Sequence, residues 1–236
     1  MNDVLGLQNP KILQHLREGS LYWYGVDKCG RPILWERFDK FDWKNLDVKS
    51  KVDYYVMLFE ALFAVMPDKR TAGGDDNDGD DGDGSGSSGS SIPSVQTKFS
   101  VVAETGGINY LHAFLRPSFF VNVAMLFVKA FPDRLGYFLA KATYGMTAAM
   151  KLTKPVLPAS INDKIELLVD ESFVRRLRDD VLLNGVDDLP DFFGGKKVHE
   201  KEIICDFGRM MEKVRVDMED YYVAKSSVQK KQATAA

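Results

Sequence analysis

The sequence predicts an α/β domain in which helices cover a mixed or parallel sheet. Short segments rich in β-branched and aromatic residues alternate along the chain with longer segments whose apolar residues recur at helical spacing. The chain has 236 residues, 45% of them hydrophobic, which is enough for one sizeable core. We therefore expect a single layered domain with a small appendage at most.

The first predicted element is a β-hairpin. Leu21–Gly25 and Pro32–Phe38 are strand-like, and Asp27 and Gly30 lie in the turn between them. The remaining elements are predicted, in chain order, as helix Val52–Met66, strand Phe99–Glu104, helix Pro117–Phe131, strand Leu135–Ala142, helix Thr147–Thr153, strand Ile165–Val169, helix Glu171–Leu183, an amphipathic helix over 199–225 and a disordered tail over 226–236.

An acidic segment interrupts this pattern. Thr71–Ser91 consists almost entirely of Asp, Gly, Ser and Asn, so it is predicted to be a disordered insertion. A G-x-G-x-x-G match at Gly84, Gly86 and Gly89 has no strand directly before it, and a solvated linker explains it better than a nucleotide-binding loop. No register of its aspartates fits an EF-hand.

The net charge of −3 depends on this insertion. Without its six aspartates the rest of the chain would be mildly basic, which is compatible with an anionic membrane surface.

The two cysteines, Cys29 and Cys205, are far apart, and Met1–Gln8 shows no signal-peptide pattern. The longest apolar run, Ser118–Val128, is shorter than the roughly 20 residues that span a bilayer. We therefore expect a cytoplasmic protein.

No set of residues predicts catalysis. The three histidines, His15, His112 and His199, have no metal-ligand spacing, and no G-x-S-x-G is present. Acidic pairs such as Asp179/Asp180 are more typical of solvated helix ends than of a general acid and base. No basic patch interleaved with aromatics indicates nucleic acid. We expect no enzymatic activity, metal or cofactor.

Four segments, in order, resemble the CRAL-TRIO family of lipid-transfer proteins. They are similar to the family's G-x-D-x-x-G-R-P-V hairpin, its central strand ending in an acid and a glycine, its Y-P-E-R-x-G motif and its closing L-P-x-x-Y-G-G. Here these segments are 25–33, 99–107, 131–136 and 189–195. The chain departs from the family at Glu104, where Asp is usual, and at Lys141-Ala142-Thr143, where Asn-Ala-Pro is usual.

The resemblance implies a five-stranded sheet that forms the floor of an apolar pocket, with a mobile gate helix over it. The domain would span 21–198, including the insertion at 71–91, and residues 1–20 would be the remnant of an N-terminal helical segment. The implied pocket lining, taken from three strands of the floor, is Val101, Ala103, Phe138, Ala140 and Leu167.

The segment Gly145–Pro158 corresponds to the family's gate. It has apolar anchors flanked by two cations, a combination that favours an anionic interface; these residues are Met146, Met150, Lys151, Leu152 and Lys154. An ordinary amphipathic helix over the core is the alternative.

In family members that bind phosphatidylinositol, an acid and a lysine contact the headgroup, and these correspond to Asp133 and Lys164. Family members have a threonine near this lysine, and Ile161 occupies that position here. The alternative role for Asp133 is a surface salt bridge.

The cluster Arg175, Arg176 and Arg178 is either a solvated face or a membrane contact. From these observations we expect a carrier that holds a phospholipid, with phosphatidylinositol and phosphatidylcholine as candidates, and exchanges it as a peripheral membrane protein. The alternative is a non-exchanging regulatory or scaffold module. In that case the stripe from Ile203 to Tyr222 would bind a protein partner.

Overall fold

A computed structural model describes residues 9–66, 97–108, 111, 115–131 and 133–234. The predicted insertion at 71–91 lies outside the described residues, and so does His112.

The core of the fold is a five-stranded sheet whose strands follow one another in chain order. β1 pairs antiparallel with β2, and every later neighbour pairs in parallel. The predicted mixed sheet is thus confirmed. Its strands are β1 (Leu21–Val26), β2 (Pro32–Arg37), β3 (Phe99–Glu104), β4 (Leu135–Lys141) and β5 (Ile165–Leu168).

Asp27 holds the hairpin turn together and joins it to the central strand. Its carboxylate accepts hydrogen bonds from the backbone N–H groups of Cys29 and Arg31, and from the hydroxyl of Ser100 on β3 at 2.6 Å. Arg31 completes the set through an ion pair of 2.6 Å. Because Asp27 is buried, each of these bonds offsets its desolvation, which explains why the turn requires an aspartate.

Two glycines of the motifs allow close packing. A Cβ on Gly136 would lie 2.7 Å from the Arg31 guanidinium, so the hairpin arginine packs directly over the start of β4. A Cβ on Gly195 would lie 1.9 Å from the carbonyl oxygen of Leu189, which closes the last motif into a tight turn. The four sequence motifs therefore mark contacts that fix the hairpin, the sheet and the chain beyond it.

Four helices cover one face of the sheet, which we call the cavity face. They are α2 (Val48–Val65), α3 (Pro117–Met125, continued by a π-helical turn Leu126–Ala130), α4 (Tyr144–Thr153) and α5 (Ala159–Asn162). Thr143 caps α4 by accepting a hydrogen bond from Met146 N–H, so this helix begins three residues before the predicted start at Thr147.

The opposite face carries shorter elements. They are α6 (Asp170–Arg176), a π-helical turn (Leu177–Val181) and two 3₁₀ turns (Gly185–Asp188 and Asp191–Phe193). Phe173 is fully buried here, and its ring lies 4.8 Å from that of Phe193. The continuous helix predicted over Glu171–Leu183 is therefore an α-helix of one and a half to two turns followed by a wider π-helical turn.

α1 (Pro10–Glu18) packs against α2, and the C-terminal helices α7 (Lys201–Ile204) and α8 (Phe207–Thr234) pack along β1. The prediction of one helix over 199–225 and a disordered tail from 226 was wrong, because α8 continues to Thr234. The polar segment Ser226–Thr234 is rich in Lys, Gln and Ala, which favour helix, and it extends a helix already nucleated by the packed turns before it.

Candidate binding cavity

An apolar cavity lies between the sheet and helices α3 and α4. Its volume is about 60 Å³, and thirteen of its fifteen lining residues are apolar. The lining consists of Glu36, Phe38, Phe119, Phe120, Val123, Ala124, Phe127, Leu135, Phe138, Met146, Ala149, Met150, Thr153, Leu157 and Ile165. Pockets for drug-sized ligands measure roughly 300–1,000 Å³. In this conformation the cavity is therefore closed to ligands of that size.

The five residues predicted to line the pocket lie on two neighbouring rows across the cavity face. Val101 pairs with Phe138, and Ala103 pairs with Ala140, which in turn pairs with Leu167. Of these five, Phe138 borders the cavity. Val101, Ala103 and Ala140 are fully buried beneath the helices, and Leu167 is half-buried against the core. The cavity walls come largely from α3, which sequence reasoning identified as a buried helix without assigning it to the site.

Glu36 is the one acidic residue in the lining. It lies near the end of β2, is 2% exposed, and its carboxyl group lies beside the buried hydroxyl of Tyr55 on α2. Burial raises the pKa of Glu36 to about 7, an effect that the nearby Tyr55 hydroxyl and the Lys51 ammonium partly offset. Leu34 and Glu36 share one face of β2, so a charge at position 36, where an apolar residue is expected, was a signal that sequence reasoning missed.

Lys51 lies on α2 behind Glu36 and is fully buried. Its ammonium donates to Ser20 Oγ at 2.7 Å, forms a 3.3 Å ion pair with Glu18, and lies 4.3 Å from the centre of the Phe41 ring. Burial lowers the pKa of Lys51 to about 8 despite the attraction of Glu18 and Glu36. Lys51 is therefore paired with Glu18 on its outer side, and it acts on Glu36 by charge at longer range.

The predicted gate is α4 with the turn that follows it. Gly145 packs tightly, because a Cβ there would lie 2.2 Å from the carbonyl oxygen of Ile108. Met146 is buried and Met150 half-buried, and both border the cavity. These two methionines were expected to be membrane anchors. In the closed conformation they instead point inward, because the helical period places them on the face that packs against the sheet.

The outer side of α4 carries a different set of side chains. Tyr144 is 91% exposed, Leu152 is 41% exposed and Val156 is 40% exposed. Lys151 and Lys154 are exposed beside them. Of the three apolar anchors in the prediction, Leu152 alone is on this surface, and Tyr144 and Val156 join it. We call Tyr144, Lys151, Leu152, Lys154 and Val156 the outer α4 surface.

The two residues predicted to bind a headgroup lie at the N-terminal ends of neighbouring parallel strands. Asp133 is exposed two residues before β4, with a left-handed backbone (φ 60°). Lys164 is half-buried directly before β5, and its carbonyl accepts a hydrogen bond of 2.9 Å from Phe138 N–H. Ile161, at the threonine position of the family, is buried.

A second polar cluster lies at the C-terminal ends of β2 and β3. Arg37 forms two hydrogen bonds to Asp39, of 2.8 and 2.7 Å, and its guanidinium lies 3.8 Å from the centre of the Phe192 ring. Burial raises the pKa of Glu104, the residue at the family's aspartate position.

A groove of about 630 Å³ near this edge is lined by Lys141, Arg175 and Arg178 with Phe173 and its neighbours. Arg176 instead pairs with Glu166 and Asp180.

The opposite face has an open groove of about 760 Å³ between β1, β2 and α8. His199 lies in its wall, stacked 4.2 Å from Tyr24, with its Nδ1 2.9 Å from the Tyr22 hydroxyl. Burial lowers the pKa of His199 to about 3, and the nearby cations Lys197, Arg37 and Lys213 act in the same direction. His199 is therefore a neutral member of an aromatic cluster.

The described residues contain no group of three or more His, Cys, Asp or Glu side chains placed to hold a metal ion. Among the helices in the part of the chain that the structure describes, none is long and apolar enough to cross a membrane.

Comparison with known proteins identifies the family. The family model described as CRAL/TRIO domain matches residues 16–195. The chain belongs to the CRAL/TRIO family. The match includes the whole sheet and α4, and members of this family are generally lipid-binding transfer proteins rather than enzymes.

One solved structure, that of Sfh5, aligns over 70% of this chain with 14% sequence identity and a TM-score of 0.47. The chain spans about half of that structure, 51% of its length. Among curated proteins, no sequence matches this chain significantly.

Proposed function

We propose that this chain holds a lipid between the sheet and helices α3 and α4, and exchanges it at a membrane surface when α4 moves. The observation that carries the proposal is the cavity: its lining is almost entirely apolar, and its outer wall is a ten-residue helix with one exposed lysine, Lys151, and a second, Lys154, directly after it. Two flexible methionines of that helix, Met146 and Met150, border the cavity and can repack around chains of different shape.

The energetics of release favour exchange at a bilayer over release into water. Each buried methylene contributes about 0.8 kcal/mol, so releasing a long acyl chain into water is prohibitively costly. A protein that opens against a membrane avoids this cost, because the chain passes directly from the cavity into lipid. The outer α4 surface supports such docking, since it combines exposed Tyr144 and Leu152 with Lys151 and Lys154.

A phospholipid requires a larger cavity than the closed conformation offers. We propose that α4 and α3 separate on loading, because α4 is short and four of its ten residues are exposed. The headgroup would then lie beside Asp133 and Lys164, at the N-terminal ends of β4 and β5.

If Lys164 contacts an inositol phosphate, Lys164→Ala should lower phosphatidylinositol transfer by about tenfold, as expected for one charge-assisted hydrogen bond, and leave phosphatidylcholine transfer nearly unchanged. Equal loss of both would assign Lys164 to the gate or the membrane contact.

The small volume of the cavity favours a second candidate, a scaffold module that carries no lipid. Native mass spectrometry of the full chain after incubation with phospholipid vesicles separates the two. A carrier retains one lipid per chain, whereas a scaffold remains empty.

A pair of neighbouring alanines supplies the matched variants. Ala149 borders the cavity and Ala148 does not. Ala149→Leu should reduce lipid uptake because the added side chain fills the cavity, and Ala148→Leu should not. Equal uptake by the two variants would contradict the cavity as the lipid site.

A further inference from the structure

The groove at the C-terminal ends of β4 and β5 lies outside the proposed lipid site. It measures about 630 Å³, within the roughly 300–1,000 Å³ that is usual for ligand pockets. Its lining comes from the end of β4, from α6 and from the 3₁₀ turn Asp191–Phe193. In open α/β sheets, crevices beyond the carboxyl ends of the strands are a common place for ligands.

Three phenylalanines form the floor of this groove. Phe173 is fully buried, and Phe192 and Phe193 are half-buried with their ring centres 4.7 Å apart. The Phe193 ring also lies 4.8 Å from that of Phe173. The floor is therefore an apolar surface on which another aromatic side chain can pack.

Three cations surround that floor: Lys141 ends β4, Arg175 lies on α6, and Arg178 lies in the π-helical turn after it. Arg175 is exposed and makes no hydrogen bond or ion pair with the described residues. Arg178 pairs with Asp179, which does not line the groove. Because the guanidinium group presents paired donors, both arginines are suited to a carboxylate.

The structure already contains a carboxylate on one of these cations. Of the two acids in the lining, Asp170 and Glu171, the first forms a 3.1 Å ion pair with Lys141 although its side chain is 80% exposed. Asp170 has a φ of 22°, which is uncommon for a residue other than glycine, and such outliers cluster at binding sites. Since exposed ion pairs contribute little stability, an incoming carboxylate can replace Asp170 on Lys141 at small cost.

The shape of the groove favours a peptide over a bilayer. Membrane docking uses apolar side chains that protrude, such as Leu152 on the outer α4 surface. Here the half-buried phenylalanines lie at the bottom of a concave site, where a flat bilayer does not reach them. A peptide side chain can enter the groove while its neighbours contact the cations.

We propose that this groove binds an acidic peptide segment of a partner protein, with an aromatic side chain on the phenylalanine floor and carboxylates on Lys141, Arg175 and Arg178. The interaction goes beyond the proposed lipid-binding function and does not depend on it, because the groove and the cavity share no lining residue.

The test measures binding of short fluorescein-labelled peptides to the full chain by fluorescence anisotropy. One peptide has glutamates on both sides of a phenylalanine, and the other has glutamines in place of the glutamates. The wild type should bind the glutamate peptide at least about tenfold more tightly, because the glutamine peptide forms no ion pairs. Salt should reduce the difference. Equal binding of the two peptides, or no binding of either, overturns the proposal.

Two neighbouring arginines supply the matched variants. Arg175 lines the groove, whereas Arg176 pairs with Glu166 and Asp180 and does not line it. Arg175→Gln should weaken binding of the glutamate peptide by about fivefold, as expected for one exposed ion pair, and Arg176→Gln should leave it unchanged. Equal losses would show that the peptide responds to overall charge, contrary to the proposal.

Asp170→Asn tests the same site through a gain of affinity, which a loss of folding cannot imitate. The substitution removes the carboxylate that competes for Lys141 and keeps the shape of the side chain. Binding of the glutamate peptide should therefore strengthen by about threefold. Unchanged or weaker binding would contradict the assignment of Lys141 to the partner.

Phosphatidylserine vesicles distinguish a membrane from a peptide as the occupant. Co-sedimentation of Arg175→Gln with these vesicles should match that of the wild type. If Arg175→Gln instead weakens vesicle binding and leaves peptide binding unchanged, the groove docks on a membrane and the proposal is wrong.

Discussion

Helices α4 and α8 both cover the sheet, but they are attached to it in different ways. α8 packs along the edge strand β1 through Met210, Val214 and Met218, each at most 2% exposed. Met210 Sδ also accepts a hydrogen bond of 3.4 Å from Trp23 N–H, so the helix satisfies part of the sheet edge. α4 is ten residues long, borders a cavity and has no such bond to a strand among the described contacts. The sheet therefore holds α8 more firmly than α4, as the proposed movement of α4 requires.

The largest test of this difference is a pair of methionine truncations. Met210→Ala should cost an amount at the upper end of the roughly 2–5 kcal/mol range for buried methionine, because it also leaves Trp23 N–H unpaired. Met146→Ala should cost an amount at the lower end of that range, since it enlarges an existing cavity next to a short helix. Urea denaturation of both variants measures the two free energies of unfolding.

Met210→Leu is the control for that pair. It keeps the side-chain volume and removes only the sulfur acceptor, so it should cost about 1 kcal/mol. Equal losses for Met210→Ala and Met146→Ala would mean that α4 is as firmly held as α8.

The second prediction concerns the aromatic cluster between β1, β2 and α8. The pKa of His199 is lowered to about 3 in the folded chain, so the unfolded chain binds a proton near pH 6.5 that the folded chain does not. Stability should therefore be full above pH 6.5 and fall, by up to about 1.4 kcal/mol per pH unit, as the pH decreases toward 3. His199→Asn, which cannot titrate, should show a shallower loss over this window. Parallel denaturation curves for the two proteins would contradict the assignment of the slope to His199.

The third prediction tests the outer α4 surface. Lys151→Glu with Lys154→Glu should weaken binding to anionic vesicles by at least tenfold, since each lysine near such a surface contributes about 1 kcal/mol. Lipid transfer should slow in parallel, and the melting temperature should change little because both side chains are exposed. Vesicle co-sedimentation at low and high salt gives the measurement.

A matched control reverses two exposed lysines elsewhere. Lys196→Glu with Lys201→Glu makes the same change in net charge on the segment that flanks His199. Normal vesicle binding by this control, beside weak binding by the α4 variant, would locate the docking surface. An equal effect of both variants would point to a dependence on overall charge alone.

The sequence predicted the sheet well because strands with continuous apolar runs and flanking turn residues are local signals. The hairpin was also predictable, because Asp27 and Gly30 mark its turn.

The cavity was harder to predict, because its walls depend on which turns of α3 and α4 face the sheet. Met146 and Met150 were read as anchors since a ten-residue helix with scattered apolar residues does not identify its buried side. Glu36 escaped notice because one acid in a strand usually marks the solvent face, and only the register with Ala103 places it inside.

The end of α8 was missed for a related reason. Its last turns carry polar residues with no apolar stripe, and their helicity derives from the packed turns before them.

The strand order of the sheet has a consequence for synthesis on the ribosome. Each strand pairs with the one made just before it, so the sheet can grow by one edge as the chain emerges. Among the described strands, β1 has no partner on its outer side, and the helix with the most contacts along it, α8, begins at Phe207. We therefore expect the outer edge of β1, which contains Trp23, to stay partly uncovered until α8 has been made. Because an exposed strand edge can pair with another chain, we expect β1 to be the strand through which unfinished chains associate.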